Sequence, residues 1–273
     1  IYLGNAGDVY LTGPLTITNN SSAANSEVFC NYSPTSLNTY GGNIILANTH
    51  ANGDGIRFGQ NTGSGVLAAT RTVTISGAGF VAGQLYFRNF TQVGATPQTL
   101  ISTGTTHVEN HDSNWGGNVD FRGARMFTRG TIYQGTVYLE KFGALDDASA
   151  GGNNFAGITE LRNSGSGYFL MGNGNPDIFQ TDLVMNNTGT HRMFLAYSSI
   201  GNSVGGNLTI NNTASGADNN IYVASSATST LTISGNATLN NISSAANAII
   251  HFPEAGSINL NGGLNCINNT SGA

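Results

Sequence analysis

One short strand phrase, glycine followed by a polar residue and then apolar-x-apolar, recurs along this chain. It appears at Gly117-Asn118-Val119, Gly135-Thr136-Val137, Gly157-Ile158, Gly206-Asn207-Leu208, Gly235-Asn236-Ala237 and Gly256-Ser257-Ile258, with Thr181-Asp182-Leu183 as a variant. Successive copies lie about 18–30 residues apart, the length of one coil of a β-solenoid. Inside many coils a second phrase follows. Asn186-Asn187-Thr188 leads to Met193-Phe194-Leu195, and Asn211-Asn212-Thr213 leads to Ile221-Tyr222-Val223. Each coil therefore carries at least two strands joined by an Asn-rich corner.

The runs between corners alternate apolar and polar residues, as half-buried strands do. Examples are Leu15-Thr16-Ile17-Thr18, Thr72-Val73-Thr74-Ile75, Leu85-Tyr86-Phe87-Arg88, Val137-Tyr138-Leu139-Glu140 and Leu208-Thr209-Ile210. Gly, Asn and Ser, which tolerate positive φ or bond their own backbone, bound each run. No long stretch has helical apolar periodicity. The pattern predicts an all-β fold, a parallel β-solenoid or β-helix with irregular coils, expected to be right-handed and to run as one continuous domain over 1–273. Roughly a dozen coils at ~4.8 Å each would make a rod of ~55–60 Å.

A longer repeat is superposed. Residues 15–58 resemble 183–223, and Gly41–Thr49 matches Gly205–Thr213 at an offset of about 164. Asn268-Asn269-Thr270-Ser271-Gly272-Ala273 reads as the first half of a coil and Ile1-Tyr2-Leu3-Gly4 as the second half. The chain is thus expected to be cut from, or to stack head to tail in, a continuous array. Its opening at Ile1, with no Met and no signal-like stretch, reads as a processed chain or a piece of something longer.

Stacking also accounts for the composition. Only 8% of residues are charged, Lys141 is the single lysine, and 36 residues are Asn. A residue in a solenoid meets its own kind in the next coil; stacked charges repel, whereas stacked amides donate and accept in a ladder. Nine basic residues at net charge -5 provide no nucleic-acid footprint. A hydrophobic content of 39% supplies a core, and no apolar run approaches a membrane-spanning helix. Cys30 and Cys266 show no metal-binding spacing and read as buried free thiols. They lie about ten coils apart, too far for a disulfide within one chain.

The segments Arg88–Gln98, Gly143–Asn153 and Asn163–Asn173 resemble the tandem repeats of very large secreted surface proteins of Bacteroidota. Those are giant adhesin-like filaments, typically exported by the type IX route, and the resemblance covers most of the chain. It implies an extracellular or cell-surface location and a β-solenoid shaft with a role in attachment, gliding or prey capture. It brings no catalytic motif, and no residue inherits a role from it. His107 to Asn114 match none of its phrases.

The remaining candidates for chemistry come from the residues themselves. His107, Glu109 and His111 alternate, so on a strand they share one face and two imidazoles and a carboxylate could meet a divalent cation. The bland reading is a solvated face beside the turn at Asp112-Ser113-Asn114. Asp146 and Asp147 could act as an acid pair in a polysaccharide hydrolase or lyase if a loop turns them to one site; otherwise they belong to a solvated turn. Arg122, Arg125 and Arg129, with Asp120 beside them, form a basic cluster suited to a partner contact or to local pairing. Trp115, Tyr133 and Tyr138 are candidates for stacking on sugar rings, or fill core and corners. No Walker loop, dinucleotide fingerprint, nucleophile elbow or calcium nonapeptide is present, and no cofactor is expected.

These readings point to a structural, non-enzymatic shaft segment of an extracellular filament or adhesin. Its expected partners are neighbouring repeats, identical chains, and a cell-surface or glycan target. The competing reading is a carbohydrate-active β-helix enzyme or a carbohydrate-binding module. The charged stretches 107–112, 120–129 and 140–147 are where regular stacking is expected to break and partner contacts to fall.

Overall fold

A computed structural model describes residues 1–23, 25–147, 149–216, 218–245 and 247–270; Ala148 and the closing Ser271-Gly272-Ala273 of the sequence phrases lie outside the described residues. The fold is an all-β parallel solenoid with irregular coils. Register partners one coil apart range from Asn114 and Ile132 at the short end to Leu15 and Ile44, inside the expected spacing; Asn48 and Phe80, past a register shift, lie slightly further apart. Contacts divide the chain into two units, Ile1–Phe127 with Thr131–Gly135, and Thr128–Gly130 with Thr136–Ala273. Each coil passes through up to three strand positions, called a, b and c here in chain order.

In the first unit the a strands are Tyr2–Leu3, Val28–Cys30, Gly55–Phe58, Gln84–Arg88 and His107–His111, followed by the strand that starts at Arg125. The b strands run from Val9–Leu11 to Ile132–Tyr133, and the c strands from Leu15–Asn19 to Val119–Gly123. Alternation decides what each column buries. Val28, Ile56, Leu85 and Val108 stack in one inward column, and Cys30, Phe58, Phe87 and Asn110 in the next. Large rings fill this core: Phe58 stacks on Phe87 at 5.1 Å between centroids, and Trp115 meets Phe121 edge-on at 5.0 Å. Burial pushes the Cys30 thiol up to about 12.

The second unit is more regular. Its c strands are Val137–Lys141, Thr159–Asn163, Leu183–Asn187, Leu208–Asn212, Ala237–Asn241 and Leu264–Asn268, all in register. Leu139, Leu161, Met185, Ile210, Leu239 and Cys266 form one inward column. Cys266 occupies the core column on the last described coil and is exposed there, which corrects the expectation of a buried thiol.

Beside that column runs an amide ladder: Lys141, Asn163, Asn187, Asn212, Asn241 and Asn268. Asn212 Nδ2 donates to Asn241 Oδ1 at 3.3 Å, and Asn241 Nδ2 to Asn268 Oδ1 at 3.2 Å. Asn163, Asn187 and Asn241 also close the corner that follows them. Asn163 Nδ2 donates to Gly167 O at 3.1 Å and Arg192 O at 3.2 Å, and its Oδ1 accepts from Gly165 N at 3.3 Å. Lys141 is fully buried at the start of this column, where its ammonium does the amide's work by donating to Gly143 O at 2.8 Å and Gly167 O at 2.9 Å.

In the second unit the a strands are Phe169–Leu170, Met193–Leu195, Ile221–Val223 and Ile250–His251, and the corner after most a strands uses a different device. Asn31, Asn89, Asp112, Ala196 and Ala224 all have φ between 49° and 63° and sit immediately after an a strand; Gly4 and Gly59 occupy the same place with positive φ. A left-handed residue there turns the chain from a to b. Alanine in that conformation costs roughly 1–2 kcal/mol, which glycine avoids at an entropic cost of about 0.5–1 kcal/mol.

The corners and the ladder set the outcome expected of substitutions at both. Ala196→Gly and Ala224→Gly should each raise the unfolding free energy in urea by about 0.5–1 kcal/mol. Gly172→Ala should lower it, because a Cβ there would lie 2.9 Å from Ala196 Cα. Asn163→Ala should cost about 2 kcal/mol, and Asn163→Asp more at neutral pH, since a carboxylate would face carbonyl oxygens.

Candidate functional site

The outward face of the a strands in the first unit carries a connected side-chain network. Tyr2, Phe29, Arg57, Tyr86 and Glu109 follow one another in register. Tyr2 and Phe29 stack at 5.3 Å. The Arg57 guanidinium lies 5.9 Å from the Phe29 ring centre and 5.6 Å from that of Tyr86, and it pairs with Glu27. The His111 ring meets Tyr86 at 4.7 Å and stacks on Phe127 at 4.5 Å. Arginine can occupy a place in a column of rings because its planar cation is attracted to their faces.

Glu109 sits within this network, 7% exposed. As the alternation predicts, His107 and His111 flank it on the same face. His107 Nδ1 lies 3.7 Å from its Oε1 and His111 Nε2 3.3 Å from its Oε2, and Gln84 Nε2 donates to Oε1 at 3.2 Å. Burial alone would push this carboxyl up; the hydrogen bonds and charges of the two imidazoles overcome it and hold the group down at about 2. Among the described residues no group of three or more His, Cys, Asp or Glu is placed to hold a metal ion. The three side chains form one cluster around the Glu109 carboxylate, and the His111 imidazole contacts the Tyr86 and Phe127 rings.

The three arginines fall on two neighbouring strands, Arg122 on one and Arg125 and Arg129 on the next. Arg122 lies on a c strand and forks onto Asp120, with Nε–Oδ1 at 2.7 Å and Nη2–Oδ2 at 2.8 Å. Arg125 lies on the following a strand, its guanidinium 6.0 Å from the Phe127 ring centre. Arg129, in the second unit, forms a backbone bridge with Gly151.

Asp146 and Asp147 do lie in a loop, yet they do not share a site. Asp146 is exposed and accepts the Tyr168 N–H at 3.0 Å. Asp147 is fully buried; its Oδ1 accepts from Ser149 N at 2.9 Å and Ser149 Oγ at 2.8 Å, and its Oδ2 from Leu170 N at 3.1 Å. Both carboxylates tie their loop to the next coil. The aromatic candidates are corrected as well: Trp115 and Tyr133 are fully buried core residues and offer no ring face to a sugar. Tyr138 is partly exposed, and its hydroxyl donates to Glu140 Oε2 at 3.0 Å.

Two features escape a reading of local phrases. Asp177 is fully buried, with Oδ1 accepting from Asn153 N at 2.9 Å and Asn153 Nδ2 at 2.8 Å and Oδ2 from Gly172 N at 2.6 Å. Burial pushes it up to about 6 against the pull of those donors. It takes the place that Asn202 takes one coil later, and Asn202 Oδ1 accepts the Asp177 N–H at 2.9 Å. The second feature is an outer aromatic column in the second unit. Phe194 and Tyr222 stack at 5.1 Å, and Tyr222 and His251 at 4.6 Å. Tyr197 stands edge-on to Phe194 at 5.2 Å, and Arg192 pairs with Asp218 at 2.6 Å while its guanidinium lies 5.7 Å from the Tyr222 ring centre. The middle residue of each apolar-x-apolar triplet was the available signal.

No protein-family model, curated protein or solved structure matches the chain. The repetitive solenoid architecture is compatible with both a structural repeat protein and a carbohydrate-active solenoid enzyme. No helix is long and apolar enough to cross a membrane among the described residues.

The Glu109 cluster has a pH signature. A carboxyl held down at about 2 contributes stability that is fully present above its ordinary 4.5 and is lost as pH falls through about 2. Glu109→Gln should therefore cost up to ~3 kcal/mol at neutral pH, with the difference from the unsubstituted chain closing between pH 4.5 and 2 in urea titrations.

Proposed function

We propose that this chain is a structural shaft segment of an extracellular filament or adhesin, of the kind that the secreted surface repeats of Bacteroidota exemplify. Its role is to span and bear load in attachment, gliding or prey capture, without turning over a substrate. The observation that carries this reading is what the buried ionisable side chains do in the fold. Glu109, Asp147, Asp177 and Lys141 are buried, and their hydrogen bonds and ion pairs fasten one coil or corner to the next. A chain that bears load needs every coil fixed to its neighbours, and here even the ionised groups serve that end.

A second reading is favoured by one observation, the outer aromatic columns at Tyr2–Phe29 and Phe194–Tyr222. Aromatic rings beside arginines and carboxylates are the usual furniture of glycan sites. Against it, the stacked rings cover one another's faces.

Electron microscopy of the parent polypeptide on its producing cells, labelled with antibody to this segment, tests the shaft. Labelled fibres at the cell surface are expected. An intracellular location, or release of reducing ends from a polysaccharide panel by the purified chain, would overturn the reading.

A further inference from the structure

Asparagine followed by glycine occurs at Asn52-Gly53, Asn173-Gly174 and Asn261-Gly262. The pair has its own chemistry, because glycine carries no Cβ to shield its backbone nitrogen from the asparagine side-chain carbonyl before it. Asn173-Gly174 lies in the a-to-b corner between Phe169–Leu170 and Ile178–Phe179. Gly174 is exposed, its φ is +76°, and a Cβ built on it would meet nothing within 4 Å. The next coil places Ser198 against this pair. The Gly174 N–H donates to Ser198 Oγ at 3.1 Å, and the Ser198 hydroxyl donates to Asn173 Oδ1 at 2.8 Å. Among the described residues only this pair has a hydroxyl bridging its two reacting groups. At Asn52-Gly53 the Gly53 N–H donates instead to His50 O at 2.9 Å, a carbonyl with no proton to pass on.

We propose that Asn173 is a self-modification site, at which Ser198 promotes closure of the Asn173 side chain on the Gly174 nitrogen with loss of the amide as ammonia. In the first step a bond forms between Gly174 N and Asn173 Cγ. The N–H proton passes to Ser198 Oγ as the hydroxyl's own proton passes to Asn173 Oδ1, so the serine ends as it began. In the second step the Cγ–Nδ2 bond breaks, the proton on Oδ1 leaves with the nitrogen as ammonia, and the carbonyl re-forms within a cyclic imide. Water then opens the imide at either carbonyl and leaves aspartate or isoaspartate at 173. One water is consumed and one ammonia released, with no oxidant, metal or second protein.

The stacked corners keep the hydroxyl aimed. Tyr197 N donates to Met171 O at 3.0 Å and Ser198 N to Gly172 O at 2.9 Å, while Ser199 Oγ donates to Gly172 O at 2.8 Å. On the other side Gly172 N donates to the buried Asp177 carboxylate at 2.6 Å. A fold usually slows this ring closure by restraining the two atoms that must meet; here it supplies the proton relay that an unfolded chain lacks. Either product sets a carboxylate where a neutral amide stood, and isoaspartate also adds one carbon to the main chain of the corner. The site holds whether or not the chain bears load.

Peptide mapping by mass spectrometry of the purified chain, aged at neutral pH both folded and in urea, tests the site. Asn173 should convert faster in the folded chain than in urea, through a transient species lighter by one ammonia, whereas Asn52 should convert more slowly folded than unfolded. Ser198→Ala should slow conversion at Asn173 in the folded chain about tenfold, the rate equivalent of one hydrogen bond made to the transition state, and leave the rate in urea unchanged. Ser198→Thr, which keeps the hydroxyl, should convert faster than Ser198→Ala. Slower conversion of Asn173 folded than in urea, an equal gain on folding at Asn52, or a folded Ser198→Ala chain that converts as fast as the unsubstituted one would overturn the proposal. The comparison of folded chain with urea uses the unsubstituted protein, so it decides the matter even where a Ser198 variant fails to fold.

Discussion

The structure depends on parallel strand pairing in register between successive coils. In that arrangement a residue's main neighbour is the one at the same position one coil on. Leu139, Leu161, Met185, Ile210 and Leu239 stack because each has the same place in its coil, and the core is a set of such columns. The same rule governs polar groups. Asparagine tolerates its own repetition, so the inward ladder from Asn163 to Asn268 both closes corners and links coils. A buried charge is admitted where carbonyls or N–H groups converge on it, as with Lys141 and Asp147.

Much of this was legible in the sequence because periodicity reports on stacking. The phrases around Val119, Val137, Leu208 and Ala237 all mark c strands, and their spacing reports the coil. Alternation correctly set His107, Glu109 and His111 on one face. The failures share a cause: local pattern tells which face a side chain takes but not what covers that face. Trp115 and Tyr133 read equally well as exposed rings, and only the surrounding Phe87, Phe90 and Phe121 make Trp115 a core residue. Cys266 alternates as a core residue should, yet on the last described coil it is exposed. The adjacent carboxylates at 146 and 147 gave no sign that one would be buried and the other exposed, since their loop takes its shape from the coil above.

The left-handed corner was hidden for another reason. Glycine and asparagine announce positive φ, and Gly4, Asn31, Gly59 and Asn89 could be read that way; Ala196 and Ala224 could not. Their neighbours impose the conformation. The Ala196 backbone lies so close to Gly172 that a Cβ on that glycine would not fit, and the Ala224 N–H donates to Leu195 O at 2.9 Å. Stacking overrides residue preference wherever the coil below has already chosen the turn.

The a-to-b corner is set by single left-handed residues, while the path from c back to a varies in length. Asn187 and Met193 are close in sequence, yet their register partners Asn212 and Ile221 are further apart, as are Asn241 and Ile250. The ladder residue at the end of each c strand re-establishes alignment whatever length of chain follows it. A lineage carrying this fold can therefore lengthen, shorten and diversify the c-to-a connections without disturbing alignment. Heritable novelty is channelled to one edge of the coil, and the columns remain a conserved ruler beneath it.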